Sequence, residues 1–335
     1  MPQSVASIID QALAMGIAPS ISFSQGAHNY YGGYTDQKFL VPTDNHTLYD
    51  LASLTKILGT TLAVARALID NHMSLNEEPF PSWPGVSIRD LLAHTSGLVA
   101  HIKFYECAQI SSNFSSNAQI IYKNLFEQRP AYESKKLRLY SDLNFLALGL
   151  LLEQRLRKPL IEIFKNTWDK LKIPNNLRFF SSAKTPNKIN NVAPTGFCPK
   201  RGMHIRAQVH DLNCYYLGGL AGHAGLFGDL NSLNHFGHFF LRCVKKPKNA
   251  YEYLIADFAR LGLGFDKPLH SGSVRALSPR SFGHFGFSGT SLWVDPCAKD
   301  NTGEFYVLLS NRVAASLRPE GIFWLRRRLH QIRST

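Results

Sequence analysis

A serine and a lysine three residues apart, Ser53 and Lys56, open an apolar segment in the sequence YDLASLTKILGTT. In a helix this spacing places two side chains on one face, close enough to touch. An amine beside a hydroxyl at the start of a buried helix can accept the hydroxyl proton if burial keeps the amine neutral. The pattern predicts Ser53 as a nucleophile and Lys56 as its proton acceptor. The alternative is a serine at a helix start with an unrelated surface lysine.

A second reactive group stands at the start of another apolar helix, in the triplet Tyr140-Ser141-Asp142. A tyrosine held near a buried lysine is expected to have a pKa below its usual value of about 10. Such a tyrosine can relay a proton between a serine hydroxyl and a leaving group. The alternative is that Ser141 or Asp142 caps the helix. The two interpretations are compatible, because a cap would also orient the preceding tyrosine.

A third group lies in a glycine-rich strand pattern, His284-Phe285-Gly286 followed by Phe287. Glycines within a strand indicate a place where another group approaches the backbone closely. The strand can then offer the Phe287 N–H as a donor to a carbonyl oxyanion, and His284 as a donor to a substrate. The alternative is a glycine-rich β-bulge with a surface histidine.

The remaining histidines give weaker signals. His94 ends a predicted helix and is expected to be structural, bonding nearby carbonyls. His223 lies in the glycine run GGLAGHAGLFG and is expected either to contact substrate or to support the loop. His235 and His238 share a helix face, but no nearby carboxylate or cysteine completes a metal site. No metal and no cofactor are therefore expected.

The elements that must position these groups form a recognisable order: strand patterns occur at both ends of the chain and helices lie between them. Helices are predicted at about 4–15, 53–69, 87–93, 117–128, 141–155, 159–171, 232–244, 251–260 and 319–333, with residues 175–230 irregular. Ile21 and Phe23 alternate with Ser22 and Ser24, as in a half-buried antiparallel strand. This order predicts an α/β (α+β) fold with one antiparallel sheet, flanked by the terminal helices and carrying an inserted all-α lobe.

The domain prediction follows from that order. We expect a single domain over residues 1–335, with an α/β lobe of about 1–75 and 232–335 and a helical lobe of about 76–231. A substrate site is expected in the cleft between the lobes.

Composition and charge exclude several classes of protein. The net charge is +13, but the basic residues are dispersed except for Arg326, Arg327 and Arg328, so nucleic acid is not an expected partner. No apolar run is long enough to span a bilayer, so no stable membrane anchor is expected. Five scattered cysteines without a C-x-x-C motif favour free thiols in a reducing compartment. The first residues lack a signal-peptide pattern, which predicts a cytoplasmic location; a periplasmic one would require another export route.

The three groups, taken in order, resemble the motifs of the penicillin-recognising serine hydrolases. The similar branch contains class C β-lactamases, D-Ala-D-Ala carboxypeptidases and esterases, whose pattern is S-x-x-K, Y-x-N, then K-T-G or H-x-G. Here the motifs read SLTK, YSD and HFG, and the connecting segments LLAHTSGL, AGHAGLFG and EFYVLLSNRV add to the resemblance, which covers about Ser4 to Val313. The resemblance implies a β-lactamase/transpeptidase-like fold.

The resemblance also implies a role for each matching residue. Ser53 would be the acylated nucleophile, with Lys56 and Tyr140 as the general-base and proton-relay pair. The backbone amides of Ser53 and Phe287 would form the oxyanion hole.

On the substrate side, His284 and Gly286 would line the strand edge of the cleft. Asp142 stands where the family usually has asparagine, so an amide donor is lost and a negative charge could hold Lys56 protonated. His284 replaces the lysine of K-T-G, which removes a permanent cation for a substrate carboxylate.

The function expected from this sequence is a metal-independent serine hydrolase that acts through an acyl-enzyme on an amide or ester. A D-alanyl peptide is the first expected substrate, and a small acyl ester is the alternative. A third hypothesis is a non-catalytic, penicillin-binding-like module that keeps the fold. The expected partner is a small-molecule or peptide substrate, and the sequence leaves the oligomeric state open.

Overall fold

A computed structural model describes residues 4–26, 28–36, 41–107, 113–183, 191–270, 272–315 and 320–332. Its helices are α1 Val5–Ala14, α2 Thr61–Ile69, α3 Ile88–Ala93, α4 Phe114–Glu127, α5 Asp142–Leu156, α6 Leu160–Leu171, α7 Leu212–Tyr216, α8 Leu230–Lys245, α9 Ala250–Leu261, the one-turn α10 Ala298–Asn301 and α11 Glu320–Gln331. Its strands are β1 Ser20–Gln25, β2 His28–Asp36, β3 Val41–Pro42, β4 Tyr49–Asp50, β5 Gly196–Cys198, β6 Met203–Ile205, β7 Phe227–Gly228, β8 Phe282–Phe285, β9 Ser291–Asp295 and β10 Glu304–Ser310.

The main sheet joins the two ends of the chain. Its six strands run in the order β3-β2-β1-β10-β9-β8, and every neighbouring pair is antiparallel. The central pairing places Ile21 opposite Ser310, and at the far edge His284 lies opposite Leu292. The prediction of one antiparallel sheet built from both ends is therefore confirmed.

The sheet is buried on both faces, as the side chains of β10, which point alternately to one face and the other, show. Tyr306 and Leu308 pack into the core formed with α1 and α11, whereas Phe305 and Val307 face the larger core shared with α8. The half-buried pattern predicted for β1 is wrong, because all six of its residues are buried. Its serine hydroxyls find partners inside the protein: Ser22 Oγ, for example, lies 3.2 Å from Tyr49 Oη.

The helix that follows Ser53 is buried, as predicted. It begins with a π-helical turn, Lys56–Thr60, and continues as α2. Leu54, Ile57 and Leu58 are completely buried, as is most of α2. A π-helical turn is rare and is found frequently at functional sites, because the wider turn redirects side chains.

The other predicted helices are present within a few residues of their expected bounds. A capping box starts α3: the Asp90 N–H donates to the Ser87 hydroxyl, and the Asp90 carboxylate accepts the Ser87 N–H. The segment 175–230, predicted as irregular, contains three short strands and α7. The division into two lobes remains a prediction.

In the part of the chain that the structure describes, every helix is too short or too polar to cross a bilayer.

Candidate active site

Ser53 lies in a constrained turn immediately before the central helix. The preceding residue, Ala52, has a φ of 46°, a left-handed conformation that costs energy for a residue with a Cβ. The Asp50 carboxylate accepts a 2.9 Å hydrogen bond from the Ala52 N–H and a 2.7 Å bond from the His210 N–H. Backbone strain held in this way is common at functional sites, and here it fixes the position of one hydroxyl.

Lys56 is fully buried and bonded to three groups. Its Nζ donates to Ser53 Oγ at 2.8 Å, to Asp142 Oδ1 at 2.7 Å and to the His223 carbonyl at 3.3 Å. Burial acts to lower the lysine pKa, but the charge of Asp142, together with Tyr140 and the hydrogen bonds to both residues, raises it. Lys56 is therefore protonated at rest. Of the two predicted effects, the charge of Asp142 in the asparagine position prevails over burial.

Tyr140 reaches Ser53 from the start of α5. Its hydroxyl donates to Ser53 Oγ at 2.9 Å, and Lys56 Nζ lies 4.9 Å from the centre of its ring. Burial raises the pKa of Tyr140 to about 12, although the Lys56 charge acts in the opposite direction. The predicted pKa below 10 is wrong, because desolvation of the phenolate outweighs the neighbouring cation.

Asp142 lies between Lys56 and the solvent-exposed side of the site. Its second oxygen lies 3.3 Å from His101 Nδ1, and its side chain is 19% exposed. Burial would raise the aspartate pKa, but the Lys56 charge and the His101 hydrogen bond hold it below its usual value. Asp142 is therefore an ionised carboxylate bonded directly to the lysine.

The loop before α5 is held by His94 and not by a helix cap. The Ser141 hydroxyl donates to the Val99 carbonyl at 2.7 Å, so the alternative in which Ser141 caps α5 is wrong. The Ser141 N–H donates to His94 Nδ1 at 3.1 Å, and the His94 ring lies 4.7 Å from that of Tyr140. His94 thus accepts an amide proton and supports the tyrosine, whereas sequence reasoning had it bonding to carbonyls.

His284 lies behind Tyr140 and is only 2% exposed, with 5.6 Å between the two ring centres. Its Nδ1 lies 2.7 Å from the Phe285 carbonyl, which can only accept, so Nδ1 carries the proton. Burial lowers the pKa of His284 to about 4, which leaves the ring neutral at pH 7. Its Nε2 is then an acceptor, and it has no partner among the described residues. The predicted role as a donor to substrate does not fit this tautomer.

Gly286 brings the β8–β9 turn against the loop that carries Ser53. Its N–H donates to the Thr290 carbonyl at 2.8 Å, and the Thr290 hydroxyl donates to the Leu51 carbonyl at 3.2 Å. A Cβ at Gly286 would lie 2.6 Å from the Leu51 oxygen. The predicted close approach is thus the contact with Leu51, and Gly286 is not among the residues lining the cleft.

Replacing Gly286 by alanine should therefore displace the Ser53 loop. We expect the rate of Ser53 acylation to fall about tenfold, since small displacements of reacting groups are costly, and the free energy of unfolding to fall by about 1–3 kcal/mol. Labelling kinetics and chemical denaturation measure the two effects. Gly272→Ala is the control, because the nearest atom to its new Cβ would be 3.9 Å away. Equal effects of both substitutions would contradict the contact argument.

Two residues beside the site have backbone amides without a protein acceptor. Within the described ranges, the N–H groups of Ser53 and Phe287 donate to no protein oxygen. Both residues line one cleft of about 370 Å³. Free N–H groups beside a nucleophile are what an oxyanion hole requires.

The cleft also contains groups that sequence reasoning missed. Besides Ser53, Asp142 and the predicted His223 and Phe287, its lining includes His101, Tyr105, His210 and Asp211. His223 is 1% exposed, and its Nε2 donates to Asp211 Oδ1 at 3.0 Å. These additional residues come from loops and from the start of α7, where the sequence shows no motif beyond an aspartate at a helix N-terminus.

Cation-binding groups converge in this cleft. Single side-chain atoms of His101, Asp142 and Asp211 lie within 4.8 Å of one another. His235 and His238 belong to no such group in the described part of the chain. The sequence did not indicate a possible cation site near Ser53, because the three residues that would form it are distant from one another in the sequence.

The fold and the site geometry together place Ser53 between a buried helix and the edge of the main sheet. This arrangement defines the class of the protein. The family model described as "Beta-lactamase" matches residues 21–325. The chain therefore belongs to the beta-lactamase family and is a serine hydrolase of that family, with the predicted β-lactamase/transpeptidase-like fold.

Individual relatives are more distant. The chain is 25% identical over 305 residues to a protein of Salmonella gallinarum named "Putative D-alanyl-D-alanine carboxypeptidase", covering 79% of this chain and 70% of the relative. A Salmonella typhi protein of the same name gives the same figures.

Solved structures share the fold at low identity. The chain is similar to EstCE1, a hydrolase with promiscuous acyltransferase activity, with a TM-score of 0.71, 18% identity and coverage of 98% of this chain and 97% of that one. It is also similar to the octameric penicillin-binding protein homologue from Pyrococcus abyssi, with a TM-score of 0.67, 16% identity and coverage of 96% and 75%.

Proposed function

We propose that this protein transfers the acyl group of an amide or ester substrate to Ser53 and then releases it to water. The observation that carries the proposal is the position of Ser53 Oγ, which is within hydrogen-bond distance of both Lys56 Nζ, at 2.8 Å, and Tyr140 Oη, at 2.9 Å. A serine becomes a nucleophile when a neighbouring group can take its proton, and here two groups are in reach.

The resting hydrogen bonds determine how the reaction starts. Lys56 and Tyr140 both donate to Ser53 Oγ, so one of them must first lose a proton to become a base. Ser53 Oγ then attacks the substrate carbonyl carbon while its proton passes to that base. The oxyanion that forms is stabilised by the N–H groups of Ser53 and Phe287.

The second half of the reaction reverses these proton movements. Collapse of the tetrahedral intermediate breaks the bond to the leaving group, which takes the proton from the Lys56–Tyr140 pair. A water molecule then attacks the acyl carbon, gives its proton to the same pair and frees Ser53. No atom other than those of substrate, water and these side chains is needed.

D-alanyl peptides are the first substrate class that we propose. Support comes from the relatives named for D-alanyl-D-alanine carboxypeptidase activity, which align over most of this chain. The paired Lys56 and Tyr140 suit an amide substrate, because the amine leaving group must receive a proton as it departs.

A small acyl ester is the second candidate, and a specific observation favours it. No lysine or arginine is among the described residues that line the cleft, and His284 is neutral. The site therefore offers no permanent cation to the terminal carboxylate of a D-alanyl peptide. An ester without a carboxylate does not need one.

Adduct mapping on the whole protein tests the proposal. After incubation with a fluorescent penicillin and, separately, with a fluorophosphonate, mass spectrometry should find the label on Ser53, and Ser53→Ala should give none. Labelling by penicillin supports the D-alanyl class, and labelling by fluorophosphonate alone supports the ester class. If folded wild-type protein, checked by its thermal midpoint, takes neither label, the chain is a non-catalytic module and the proposal is wrong.

A further inference from the structure

The cleft beside Ser53 has acidic walls in a protein that is basic overall. Asp142 and Asp211 both line it, and no lysine or arginine does so among the described residues. Lys56, the nearest ammonium, is 0% exposed and already bonded to Asp142. The net charge of +13 therefore describes the protein as a whole, whereas the substrate cleft presents carboxylates.

Asp211 has bonding capacity that the protein does not use. Its Oδ1 accepts the Cys214 N–H at 2.7 Å and His223 Nε2–H at 3.0 Å, which fixes the side chain at the start of α7. Its other oxygen has no donor within the described ranges, and the side chain is 23% exposed on the cleft. Burial acts to raise its pKa, but neighbouring His223 helps to hold it below the usual value. Asp211 is thus ionised with one oxygen open.

A buried histidine supports Asp211 from behind. The side chain of His223 is only 2% exposed, and its Nε2–H is donated to Asp211 Oδ1. Its Nδ1 is buried and has no partner in the described part of the protein. The group left open to a ligand is therefore the second oxygen of Asp211, and a ligand for this carboxylate must bring a donor and positive charge.

We propose that the cleft binds a primary ammonium group of the substrate, held by the carboxylates of Asp211 and Asp142. This inference rests on the proposed function and specifies its substrate class: amides or esters whose acyl part carries a free amine. An ammonium nitrogen donates at about 2.8 Å, so tetrahedrally arranged acceptors lie about 4.6 Å apart. The convergent oxygens of Asp142 and Asp211 lie within 4.8 Å of each other, so one ammonium nitrogen can reach both. Tyr105 and Phe287 supply apolar walls.

A divalent metal ion is the competing ligand, and the contacts of His101 favour it less. Zinc is bound by nitrogen and carboxylate lone pairs. His101 Nδ1 lies 3.3 Å from Asp142 Oδ2 and, beside an ionised carboxylate, is a hydrogen-bond donor, so this nitrogen offers a metal no lone pair.

The experiment compares two substrates that differ only at the amine, D-alanyl-p-nitroanilide and N-acetyl-D-alanyl-p-nitroanilide. Wild-type protein should hydrolyse the free amine with a kcat/KM at least about tenfold higher, the effect of one hydrogen bond to a charged group. Asp211→Asn, which can still cap α7, should lower kcat/KM for the free amine about tenfold more than it lowers kcat/KM for the acetylated substrate, so that the preference disappears. Asp257→Asn, at an exposed carboxylate paired with Arg260, is the matched control.

Clear results would overturn the inference. An equal or higher kcat/KM for the acetylated substrate in wild type would contradict it, even if Asp211→Asn fails to fold. Equal losses of kcat/KM on both substrates in Asp211→Asn would also contradict it. A third contradicting result would be hydrolysis of the amine substrate that EDTA abolishes and Zn²⁺ restores. If hydrolysis is too slow to measure, D-alaninamide should protect Ser53 from fluorophosphonate at lower concentration than N-acetyl-D-alaninamide. Failure of the proposed function would instead show as a Ser53 that takes no label.

Discussion

Replacing Lys56 by methionine should slow the acylation of Ser53 by about a thousandfold or more, the loss seen when a member of a catalytic group is removed. Methionine fills a similar volume but cannot donate to Ser53 Oγ or take its proton. The same substitution should lower the free energy of unfolding by about 3–5 kcal/mol, because it leaves the largely buried Asp142 without its cation. Fluorophosphonate labelling rates and urea denaturation measure the two effects.

A double variant separates the two roles. Lys56→Met combined with Asp142→Asn removes both members of the ion pair, so no uncompensated charge remains. We expect this protein to regain most of the lost stability while its acylation rate stays as low as that of Lys56→Met. If the double variant regains labelling together with stability, Lys56 acts only as a structural partner of Asp142.

This pair of roles shows where sequence reasoning reaches its limit. The spacing of Ser53 and Lys56 predicts that they share a helix face, and the structure confirms a 2.8 Å contact. From sequence, Lys56 was a neutral base, a lysine held protonated by Asp142, or a surface lysine unrelated to Ser53. The structure shows a charged lysine in contact with Ser53, because Asp142, 86 residues away, is ionised beside it. The spacing of Ser53 and Lys56 cannot decide between these states, because the charge of Lys56 depends on tertiary partners.

The same distinction explains the other corrections. The capping box at Ser87 and Asp90 was predictable because all its atoms belong to four consecutive residues. The full burial of β1 was not, because its polar serines are covered by Tyr49 and by other distant residues. Asp211 and His101 were missed for a related reason: they approach Asp142 only when separate loops fold onto one cleft.

His284 shows how burial changes the chemistry of a motif. Sequence reasoning placed it at the third motif and expected a donor to substrate. The structure keeps it at that motif, but its proton is used by the Phe285 carbonyl and the ring is neutral. A residue type and a spacing therefore predict where a group lies, whereas its tautomer depends on the atoms that enclose it.

The pH dependence of the wild-type protein should reveal the effect of Asp142. Both donors to Ser53 Oγ have raised pKa values, that of Tyr140 being about 12, so both hold their protons at pH 7. The fraction of protein with a free base then grows as the pH increases. We expect kcat/KM to rise continuously from about pH 6 to above about pH 9, without the neutral plateau of a base whose pKa is near 7.

Replacing Asp142 by asparagine should move that rise to lower pH. The Asp142 charge raises the pKa of both Lys56 and Tyr140, and without it burial of Lys56 acts to lower the lysine pKa. Loss of one adjacent charge shifts a pKa by about 1–3 units, so the profile should move by about 1–2 units. At pH 7 this shift corresponds to a gain of about ten- to a hundredfold in kcat/KM for a substrate without a free amine, such as N-acetyl-D-alanyl-p-nitroanilide, because each unit changes the fraction of free base tenfold.

The measurement is kcat/KM between pH 5 and pH 10, or the fluorophosphonate labelling rate over the same range, with Asp257→Asn as control. That exposed aspartate pairs with Arg260 on α9, and its neutralisation should leave the profile in place. An Asp142→Asn profile that stays where it is, or moves to higher pH, would show that the base is not in contact with Asp142. Because asparagine also restores an amide donor, a gain confined to amide substrates, with no shift of the profile, would reflect substrate binding and not the charge of Lys56.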